Sequence, residues 1–489
     1  MQAPLSWPAQ ESAFPHALRA APAPWAGRAM LAGVCVLAAL AYLPGLAGPF
    51  QFDDYVTVAT DPGARSFPAW WDRLGTHVRP VLKASFVLTG ALGSLVGDVP
   101  TGHRLGNLAI HLAATLAFFA FGSRVAGLLE PWHPPARRRA HALTAAAAFA
   151  LHPLATEAVS YLSARSAALA ALAAVLALLC WLDAREAHGG RRLAGIAGGL
   201  LAWAIACGSR EVAALTPAML VLVEALRERP AGEALSRRRV LAFLALAAGL
   251  GALAFATWLA RHPAYGALLD LSARIAGARL QEPAMATALH YLGCVAALAC
   301  APSIDPAPVP ATWPQAGVLV LAMLAVAALS IRARRRQPML LVALAWAALW
   351  LLPSYALPIR HDVVSERHAY AALWSLGWIG AAVAMPLVTA PARGIRFAGL
   401  ALVAALLAVL ALLAAQRNAQ YRSEESLWEA AVREGAVPRL RALNNLGAAY
   451  VEAGRWEEAE RVLRQAGALD PDNAIVEHNL DRALRRSPH

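Results

Sequence analysis

The sequence carries little charge for its length, and almost none of its positive charge is lysine. Only 15% of the 489 residues are Asp, Glu, Lys or Arg, whereas soluble globular proteins carry about 25%. Lys83 is the one lysine among 43 basic residues, so the net charge of +12 comes from arginine. These arginines cluster in short segments between apolar runs, which is typical of the cytoplasmic loops of membrane proteins. The charge pattern therefore argues against nucleic acid as a partner.

Cysteine is also scarce, and the motifs of several chemistries are missing. The five cysteines show no metal-ligand spacing, and we interpret them as free thiols packed in or beside apolar runs. No phosphate-binding glycine loop, dinucleotide fingerprint, zinc motif or nucleophile elbow stands in the context that its chemistry requires. Candidate functional residues must therefore be sought outside these motifs.

Apolar residues dominate the chain, at 59% of all positions, and they form runs that are almost free of charge. A helix needs about 20 apolar residues to cross the hydrocarbon layer of a bilayer. The runs are rich in Ala and Leu and do not alternate with period two, so they predict helices rather than a barrel. We predict an all-α integral membrane protein with about eleven transmembrane helices, at 29–47, 103–123, 141–160, 165–183, 192–208, 212–226, 239–260, 314–331, 338–357, 368–389 and 395–415.

The basic segments determine the predicted orientation, because cytoplasmic loops are enriched in Lys and Arg. Eleven crossings place the N-terminus in the cytoplasm and the C-terminus outside. Two more apolar segments, 81–96 and 283–302, would turn the basic loops outward if they crossed, so we predict interfacial or re-entrant helices there. The composition favours a bacterial inner membrane with a periplasmic active side. The predicted parts are a cytoplasmic N-terminal segment (1–28), a transmembrane domain (29–415) and two long outer loops within it (48–102 and 261–313).

The chain becomes charged and periodic after Ala415. Residues 440–473 fit one tetratricopeptide repeat in length and pattern, and the flanking stretches 423–434 and 474–486 resemble halves of neighbouring repeats. We therefore predict an extracytoplasmic tetratricopeptide-type domain at 420–487. Two interpretations stay open for it: a groove that binds a polypeptide partner, or a cap that packs on the outer face of the membrane domain. The residues that indicate the repeat are Leu446, Gly447, Tyr450, Gly454, Ala459, Leu463, Ala466 and Pro471.

Ionisable residues that could do chemistry concentrate in the predicted outer loops and turns. The adjacent carboxylates of Asp53 and Asp54 repel each other, which can raise the pKa of one of them and suit it to general-base work. They could also hold a divalent metal ion, although nothing else in the sequence requires one. The other candidates also have a structural interpretation, as headgroup anchors, buried pairs between helices or interfacial arginines. These candidates are His77, Arg79, Lys83, His152, Glu157, Arg165, Arg210, Glu366 and Arg367.

The predicted transmembrane domain also contains a series of short motifs. In order, they are Phe52-Asp53-Asp54; Arg79-Pro80 with Ser85-Phe86; His103 with Asn107-Leu108 and His111; His152-Pro153 with Thr156-Glu157-Ala158-Val159 and Arg165; Arg210-Glu211; Leu352-Pro353-Ser354; and Glu366-Arg367 with Tyr370. Together with the repeat behind them, they resemble the transmembrane and tetratricopeptide-repeat containing O-mannosyltransferases and their bacterial relatives, in the GT-C glycosyltransferase superfamily. The chain departs from that pattern in its short run of repeats and in the stretch Pro302–Pro306.

The resemblance implies a GT-C-like bundle that transfers a sugar, most simply a mannose-type hexose, from a polyprenyl-phosphate donor on the non-cytoplasmic face. It implies inversion, no required cofactor, and Asp53 or Asp54 as the base; protein, lipid and glycan stay open as acceptors. The substrate-binding residues that it implies are Arg79, Arg165, Arg210 and Arg367 for the donor phosphate, His152 and Glu157 to shape the site, and Glu366 beside Arg367.

Two other functions stay open beside the transferase. A non-enzymatic assembly factor would use the repeat domain as its working part and would tolerate loss of the carboxylates. A lipid or sugar transporter usually places ionisable residues near the bilayer midplane and shows a repeated half, and the sequence shows neither. The expected partners are a polyprenyl-phosphate sugar, its acceptor, membrane lipids and a polypeptide on the repeat domain.

Overall fold

A computed structural model describes most of the predicted transmembrane domain and nearly all of the C-terminal region. It covers residues 24–227, 260, 291–294, 298–299, 301–306, 313–356, 364–434 and 439–486. All regular secondary structure in these ranges is helical, which confirms the predicted all-α class. Most of the predicted segment 1–28, of the predicted helix 239–260 and of the outer loop 261–313 lies outside the described residues.

The α-helices of the described chain are numbered here in chain order. The first ten are α1 (Pro24–Tyr42), α2 (Pro62–Arg65), α3 (Phe67–Asp72), α4 (Pro80–Val96), α5 (Val99–Leu129), α6 (Pro135–Leu151), α7 (Thr156–Ser160), α8 (Arg165–Glu186), α9 (Gly189–Ser209) and α10 (Pro217–Leu226). The remaining ones are α11 (Trp313–Ala333), α12 (Pro338–Ala356), α13 (Leu373–Val388), α14 (Arg393–Gln420), α15 (Glu424–Glu434), α16 (Leu440–Glu452), α17 (Trp456–Leu469) and α18 (Ala474–Leu484). Short 3₁₀ or π segments stand at Leu43–Gly45, Tyr55–Ala59, Pro153–Ala155, Leu162–Ala164, Glu211–Leu215 and Glu366–His368.

Several of these helices are suited to crossing a membrane, and the chain is a multi-pass membrane protein. Within the described ranges, five segments are long and apolar enough to span. A sixth is present if the bent pair Pro135–Leu151 and Pro153–Ser160 forms one span. Shorter apolar helices, including α4, α12 and α13, stand between them. The five segments are Gly27–Gly45, Val99–Leu129, Leu162–Glu186, Gly189–Ser209 and Arg393–Gln420.

The predicted helix 141–160 is not continuous, because α6 ends at Leu151 and the pair is bent by 59°. Pro153 explains the break, since proline lacks a backbone N–H and disfavours helical backbone in the residue before it. His152 accordingly has extended backbone angles, with φ −74° and ψ 131°. Glu157 lies in the short helix α7. The prediction that His152 and Glu157 share one helix is therefore wrong.

The acidic doublet, Asp53-Asp54, stands at one end of the helix bundle, which is called the doublet end below. Arg104, near the start of α5, donates hydrogen bonds there to Ser160 O (3.1 Å) and to the carbonyl groups of residues 48–49. These bonds join the segment after α1, the start of α5 and the end of α7. The helices α1 and α7 therefore end where α5 begins.

The arginine clusters of the described chain lie at the opposite end of the bundle. The helices α6, α9, α12 and α14 all run from that end toward the doublet end. At the end of α14, for example, Asn418 accepts a hydrogen bond from Ser160, whereas Met339 at the start of α12 contacts Glu130 after α5. The clusters that precede or begin these helices are Arg137–Arg139, Arg191–Arg192, Arg334–Arg336, and Arg393 with Arg396.

The helix α4 does not cross the bundle, because both of its ends lie at the doublet end. Arg79, just before α4, pairs with Glu211, which follows α9. The far end of α4 packs directly on the start of α5, where a Cβ added to Gly102 would lie 2.2 Å from the Cα atom of Gly93. Only glycine permits backbones to approach this closely. The interfacial or re-entrant placement of 81–96 in a membrane stays a prediction.

The centre of the bundle is filled by aromatic side chains. Trp346, Trp374 and Trp378 are almost fully buried. Phe118 stacks on Trp374 with ring centroids 5.7 Å apart and meets Trp346 edge-on at 5.8 Å. These contacts join α5, α12 and α13 well away from the doublet. The helices that carry the polar residues of the doublet end are thus held together by a densely packed apolar core.

The C-terminal region forms helical pairs, as the repeat pattern predicts. The helices α16 and α17 pack antiparallel across residues 440–473, with α15 before them and α18 after them. A Cβ added to Gly447 would lie 2.3 Å from the Leu463 side chain, so the small residue permits the close approach of the two helices. This core also contains Trp428 from α15 and Val476 from α18, which accounts for the half-repeats on either side.

One cysteine departs from the prediction of free thiols. Cys35, Cys180 and Cys207 are free, but Cys294 is disulfide-bonded. The prediction of five packed thiols is therefore wrong for Cys294. The sequence offers no spacing that distinguishes it from the others.

Candidate functional site

The two carboxylates of the doublet have different surroundings. The Asp54 side chain is fully buried, and its Oδ1 atom accepts hydrogen bonds from the backbone N–H and the hydroxyl of Ser163, each at 2.7 Å. Its Oδ2 atom accepts from the Gln51 N–H at 3.3 Å. Burial raises the pKa of Asp54 to about 6, although the bonds from Ser163 oppose this shift. The sequence suggested a raised pKa through repulsion within the doublet, whereas burial is its largest cause.

Asp53 is the exposed member of the doublet. Its backbone is held on both sides: the N–H donates to the Tyr161 hydroxyl at 3.2 Å, and the carbonyl accepts from the Thr57 hydroxyl at 2.8 Å. The main chain is thus held on both sides, and the residue is exposed although Tyr161 also hydrogen-bonds its side chain. In this arrangement Asp53 is accessible to a substrate and Asp54 is enclosed.

A cleft of about 330 Å³ opens beside the doublet. Its wall includes the hydroxyls of Thr57 and Ser163, which lie 2.5 Å apart. These are the same groups that bond to the backbone of Asp53 and to the carboxylate of Asp54. The cleft and the doublet therefore share one wall. The basic residues that line the cleft are His77, Arg79 and Lys83.

Two of the cleft cations already carry a carboxylate. Arg79 makes a bidentate pair with Glu211, with both N···O distances at 3.0 Å, and its side chain is 33% exposed. Lys83 pairs with Asp61 at 2.6 Å and donates to the Thr57 carbonyl at 2.6 Å. Bidentate arginine geometry suits a carboxylate and a phosphate equally. The cleft is therefore suited to anions.

His77 is the third basic residue of the cleft, and its charged form is disfavoured there. Burial lowers its pKa, against the opposing effect of the Asp61 carboxylate. Among the residues that the structure describes, its Nε2 atom has no hydrogen-bond partner. A neutral imidazole in this position can donate to, or accept from, a ligand in the cleft.

Arg165 lies outside the cleft and is fully buried. It donates to the Ser85 carbonyl and the Thr89 hydroxyl of α4, each at 2.9 Å. It also donates to the His103 carbonyl at 2.8 Å and to Asn107, both on α5. The guanidinium stands 4.1 Å above the Phe86 ring. These contacts tie α8 to α4 and α5, and they do not support the predicted contact of Arg165 with a donor phosphate.

Glu157 and Arg367 form a second charged group at the doublet end. The Glu157 carboxylate accepts from the Arg367 side chain at 2.8 Å, from its backbone N–H at 2.9 Å, and from the Ser365 hydroxyl at 3.1 Å. Glu157 is buried, whereas 26% of the Arg367 side chain is exposed. The observed partner of Glu157 is therefore Arg367, a pairing that was not predicted from the sequence. His152 instead accepts a hydrogen bond from the Leu154 N–H at 3.2 Å.

Glu366 is fully buried and is the centre of a polar network. Its Oε1 atom accepts from the Tyr291 hydroxyl at 2.6 Å and from the Ser303 N–H at 2.8 Å. Arg417, at the end of α14, lies 3.5 Å from its Oε2 atom. Burial raises the pKa of Glu366 to about 7, the Arg417 charge opposes this, and the nearby Glu157 charge adds to it. Arg210, which was predicted to contact the donor, is buried. It contacts His368, which lies in the same short 3₁₀ segment as Glu366.

Sequence reasoning missed several residues that organise the site. Ser163 holds Asp54, Arg417 pairs with Glu366, and Asp305 pairs with two arginines of the repeat domain. Arg417 is an ionisable residue at the end of an apolar helix. Such residues are costly in a membrane, so sequence reasoning could have selected Arg417 as a candidate, as it selected Glu157. Ser163 and Asp305 carry no such signal.

No metal centre can be assigned in the described part of the chain. There, no group of three or more His, Cys, Asp or Glu side chains is arranged to hold a metal ion. Asp53 is the exposed carboxylate of the doublet, whereas Asp54 is buried and already accepts three protein hydrogen bonds.

The fold and the site together define a multi-pass, all-helical membrane protein with a C-terminal tetratricopeptide region. The tetratricopeptide repeat family matches residues 440–473. Over 74 residues the chain is 42% identical to Protein O-mannosyl-transferase Tmtc2 of Drosophila melanogaster, a stretch that is 15% of this chain and 8% of that protein. The match confirms a distant, partial relationship to that transferase, and this chain aligns with less than a tenth of its length.

Proposed function

We propose that this chain is a GT-C-type membrane glycosyltransferase. It transfers a mannose-type hexose from a polyprenyl-phosphate donor to an extracytoplasmic acceptor, for which a protein is favoured. The observation that carries the proposal is that Thr57, in the wall of the cation-lined cleft, donates a hydrogen bond to the backbone carbonyl of the exposed Asp53. A base next to an anion site suits a reaction in which a hydroxyl attacks a sugar and a phosphate leaves.

In the proposed reaction, Asp53 is the base. It takes the proton of the acceptor hydroxyl, the hydroxyl oxygen bonds to the anomeric carbon, and the bond from that carbon to the phosphate oxygen breaks. Polyprenyl phosphate leaves from the opposite face, so the configuration inverts. Asp54 is buried and bonded to Ser163, and we assign it to positioning the loop.

The donor phosphate binds in the cleft in this mechanism. Arg79 and Lys83 supply positive charge to the leaving group, and His77 supplies a hydrogen bond. Arg367 is partly exposed and serves as a further cation at the rim. Arg165 and Arg210 are buried in contacts with protein, which favours a structural role for both. Glu157 and Glu366 hold the segment that contains Arg367. His152 lies at the break between α6 and α7.

The proposed topology has eleven crossings in a membrane domain at 29–415, with the repeat domain at 420–487 on the non-cytoplasmic side. The arginine clusters support it, because they lie at the end opposite the doublet. The disulfide at Cys294 also supports it, since disulfides persist in oxidising compartments. Both observations favour a periplasmic doublet end in a bacterial inner membrane.

The test is sugar transfer by the purified full chain in proteoliposomes. The donor is tritium-labelled mannosyl polyprenyl phosphate, and the acceptors are extracytoplasmic proteins from cells that lack the chain. Asp53→Asn should lower transfer by about 10²–10⁴-fold, the usual contribution of a general base. Asp54→Asn should retain transfer to within about tenfold, because its Oδ1 atom can still accept from Ser163.

Asp72→Asn is the matched control, because Asp72 is an exposed carboxylate of the same loop. It should leave transfer unchanged. Unchanged transfer in both the Asp53 and the Asp54 variants would exclude the doublet as the base, and an absence of transfer by the unmodified chain would contradict the enzymatic function. An assembly factor that works through its repeat domain would then be the better explanation.

A further inference from the structure

Phe52, directly before the doublet, has a backbone conformation that bulky residues rarely adopt. Its φ angle is +51°, in the left-handed region. A side chain with a Cβ atom crowds the following carbonyl group there, so such residues stay in this region only when their surroundings hold them. Phe52 must therefore be held by contacts that compensate for the conformation.

The contacts that hold Phe52 come largely from the repeat domain. Its ring meets the buried Trp428 of α15 edge-on, with centroids 5.7 Å apart. The guanidinium of Arg441 on α16 stands 5.8 Å from the ring centroid. On the membrane-domain side, Tyr161 lies at 6.4 Å. The Phe52 ring is thus enclosed between the two domains.

Other residues near Phe52 also contact the C-terminal region. The Gln51 side chain donates to the Tyr421 carbonyl, between α14 and α15, at 2.9 Å. Asp305 is buried and pairs with Arg439 at 2.5 Å and with Arg441. Ile304 packs in the same apolar group as the Phe52 ring. The repeat domain is therefore fixed to the segment that carries the doublet by apolar, hydrogen-bond and ionic contacts.

We propose that the repeat domain positions the acidic doublet, and that Phe52 is the positioning residue through which it does so. The left-handed turn at Phe52 directs the next carboxylate, Asp53, outward and the following one, Asp54, toward Ser163. If Phe52 relaxed to an extended conformation, both carboxylates would rotate away from these positions. The proposal rests on the proposed function only in taking Asp53 as the base.

The test compares three substitutions in the full chain. Phe52→Tyr keeps the ring and should retain transfer. Phe52→Ala and Phe52→Gly remove the ring, and transfer turnover should fall about a hundredfold, as expected for a misplaced catalytic group. The donor KM should stay unchanged, because the cleft cations do not contact Phe52. Glycine tolerates the left-handed region, so full activity in Phe52→Gly would show that ring contact with the repeat domain is unnecessary and would overturn the proposal.

A second measurement does not depend on transfer. Hydrogen exchange, followed by mass spectrometry, reports the bonds that order the doublet, such as Thr57 N–H to Asp53 O at 2.8 Å. Exchange in residues 51–60 should accelerate in Phe52→Ala and stay slow in Phe52→Tyr. Peptides from α17 serve as the folding control and should not change. Equal exchange in all variants would refute the coupling, even if no transfer is found in the unmodified chain.

Discussion

Neutralising the buried carboxylate of Asp54 should stabilise the protein, whereas neutralising its exposed neighbour should not. Asp54→Asn removes a charge that is ionised at neutral pH inside the protein. The two hydrogen bonds from Ser163 to Oδ1 survive the change, since an amide oxygen accepts in the same place. One bond is lost, because the new NH₂ group cannot accept from the Gln51 N–H.

The magnitude follows from the pKa shift. The pKa of Asp54 rises from 3.8 to about 6, which corresponds to about 3 kcal/mol of unfolding free energy once the group is ionised. Because the carboxylate is buried, solvent screening does not reduce this cost much. The lost hydrogen bond is worth about 1 kcal/mol. Asp54→Asn should therefore raise the free energy of unfolding by roughly 1–2 kcal/mol at pH 8.

The stabilisation by Asp54→Asn should increase as the pH rises. A carboxyl group whose pKa is raised by folding contributes most stability when it is protonated, below its ordinary pKa. That contribution is lost as the pH rises through the folded-state value of about 6. The advantage of Asp54→Asn over the unmodified chain should therefore grow by about 1 kcal/mol between pH 5 and pH 7.

The assay is thermal unfolding of the detergent-purified protein between pH 5 and pH 8, followed by tryptophan fluorescence. Asp53→Asn is the control, and its midpoint should follow that of the unmodified chain at every pH. A lower midpoint for Asp54→Asn than for the unmodified chain at pH 8 would refute the reasoning. A difference in midpoint between Asp54→Asn and the unmodified chain that stays constant with pH would also refute it.

Three further predictions concern the charged groups around the doublet. The unmodified chain should lose stability as the pH rises from about 5 to about 7, because burial raises the pKa of Glu366 to about 7; Glu366→Gln should not show this part of the loss in the same unfolding assay. Arg165→Lys should lower the unfolding midpoint and leave the donor KM unchanged, since lysine cannot replace four contacts of a buried guanidinium. Arg79→Gln should raise the donor KM about tenfold with little change in midpoint, because a partly exposed pair contributes only about 0–1 kcal/mol. If Arg165→Lys raised the donor KM and Arg79→Gln lowered the unfolding midpoint, the structural role of Arg165 and the donor-binding role of Arg79 would both be contradicted.

The helices could be predicted from sequence because hydropathy and capping are local properties. The predicted segments 338–357 and 165–183 correspond to α12 and α8 with close agreement at their ends. The repeat at 440–473 was found because small and large residues recur at fixed offsets. The break at His152 also had a local signal in Pro153. It was missed because the apolar run continues through it.

The partners of the charged residues could not be predicted, because they are distant in sequence. Asp54 and Ser163 are 109 residues apart, and Arg367 and Glu157 are 210 apart. An arginine at the end of an apolar helix has the same sequence signature whether it faces a substrate or is buried between helices. Only the packing of Gly93 against Gly102, which brings α4 onto α5, places Thr89 and Ser85 where they enclose Arg165.

Arg79, Lys83 and Arg367 share one property that bears on donor binding: each is paired with a carboxylate. A phosphate can replace a carboxylate on an arginine or lysine without changing the charge balance of the site. Arg79 with Glu211 is therefore the pair at which exchange would be least costly, since it lies at the cleft and both side chains are partly exposed. Arg367 differs, because Glu157 also binds its backbone N–H and cannot leave without unfolding that turn. Donor binding should therefore displace Glu211 while Glu157 stays in place, and Glu211→Gln should lower the donor KM while Glu157→Gln lowers the unfolding midpoint. An unchanged donor KM in Glu211→Gln would show that the phosphate binds elsewhere.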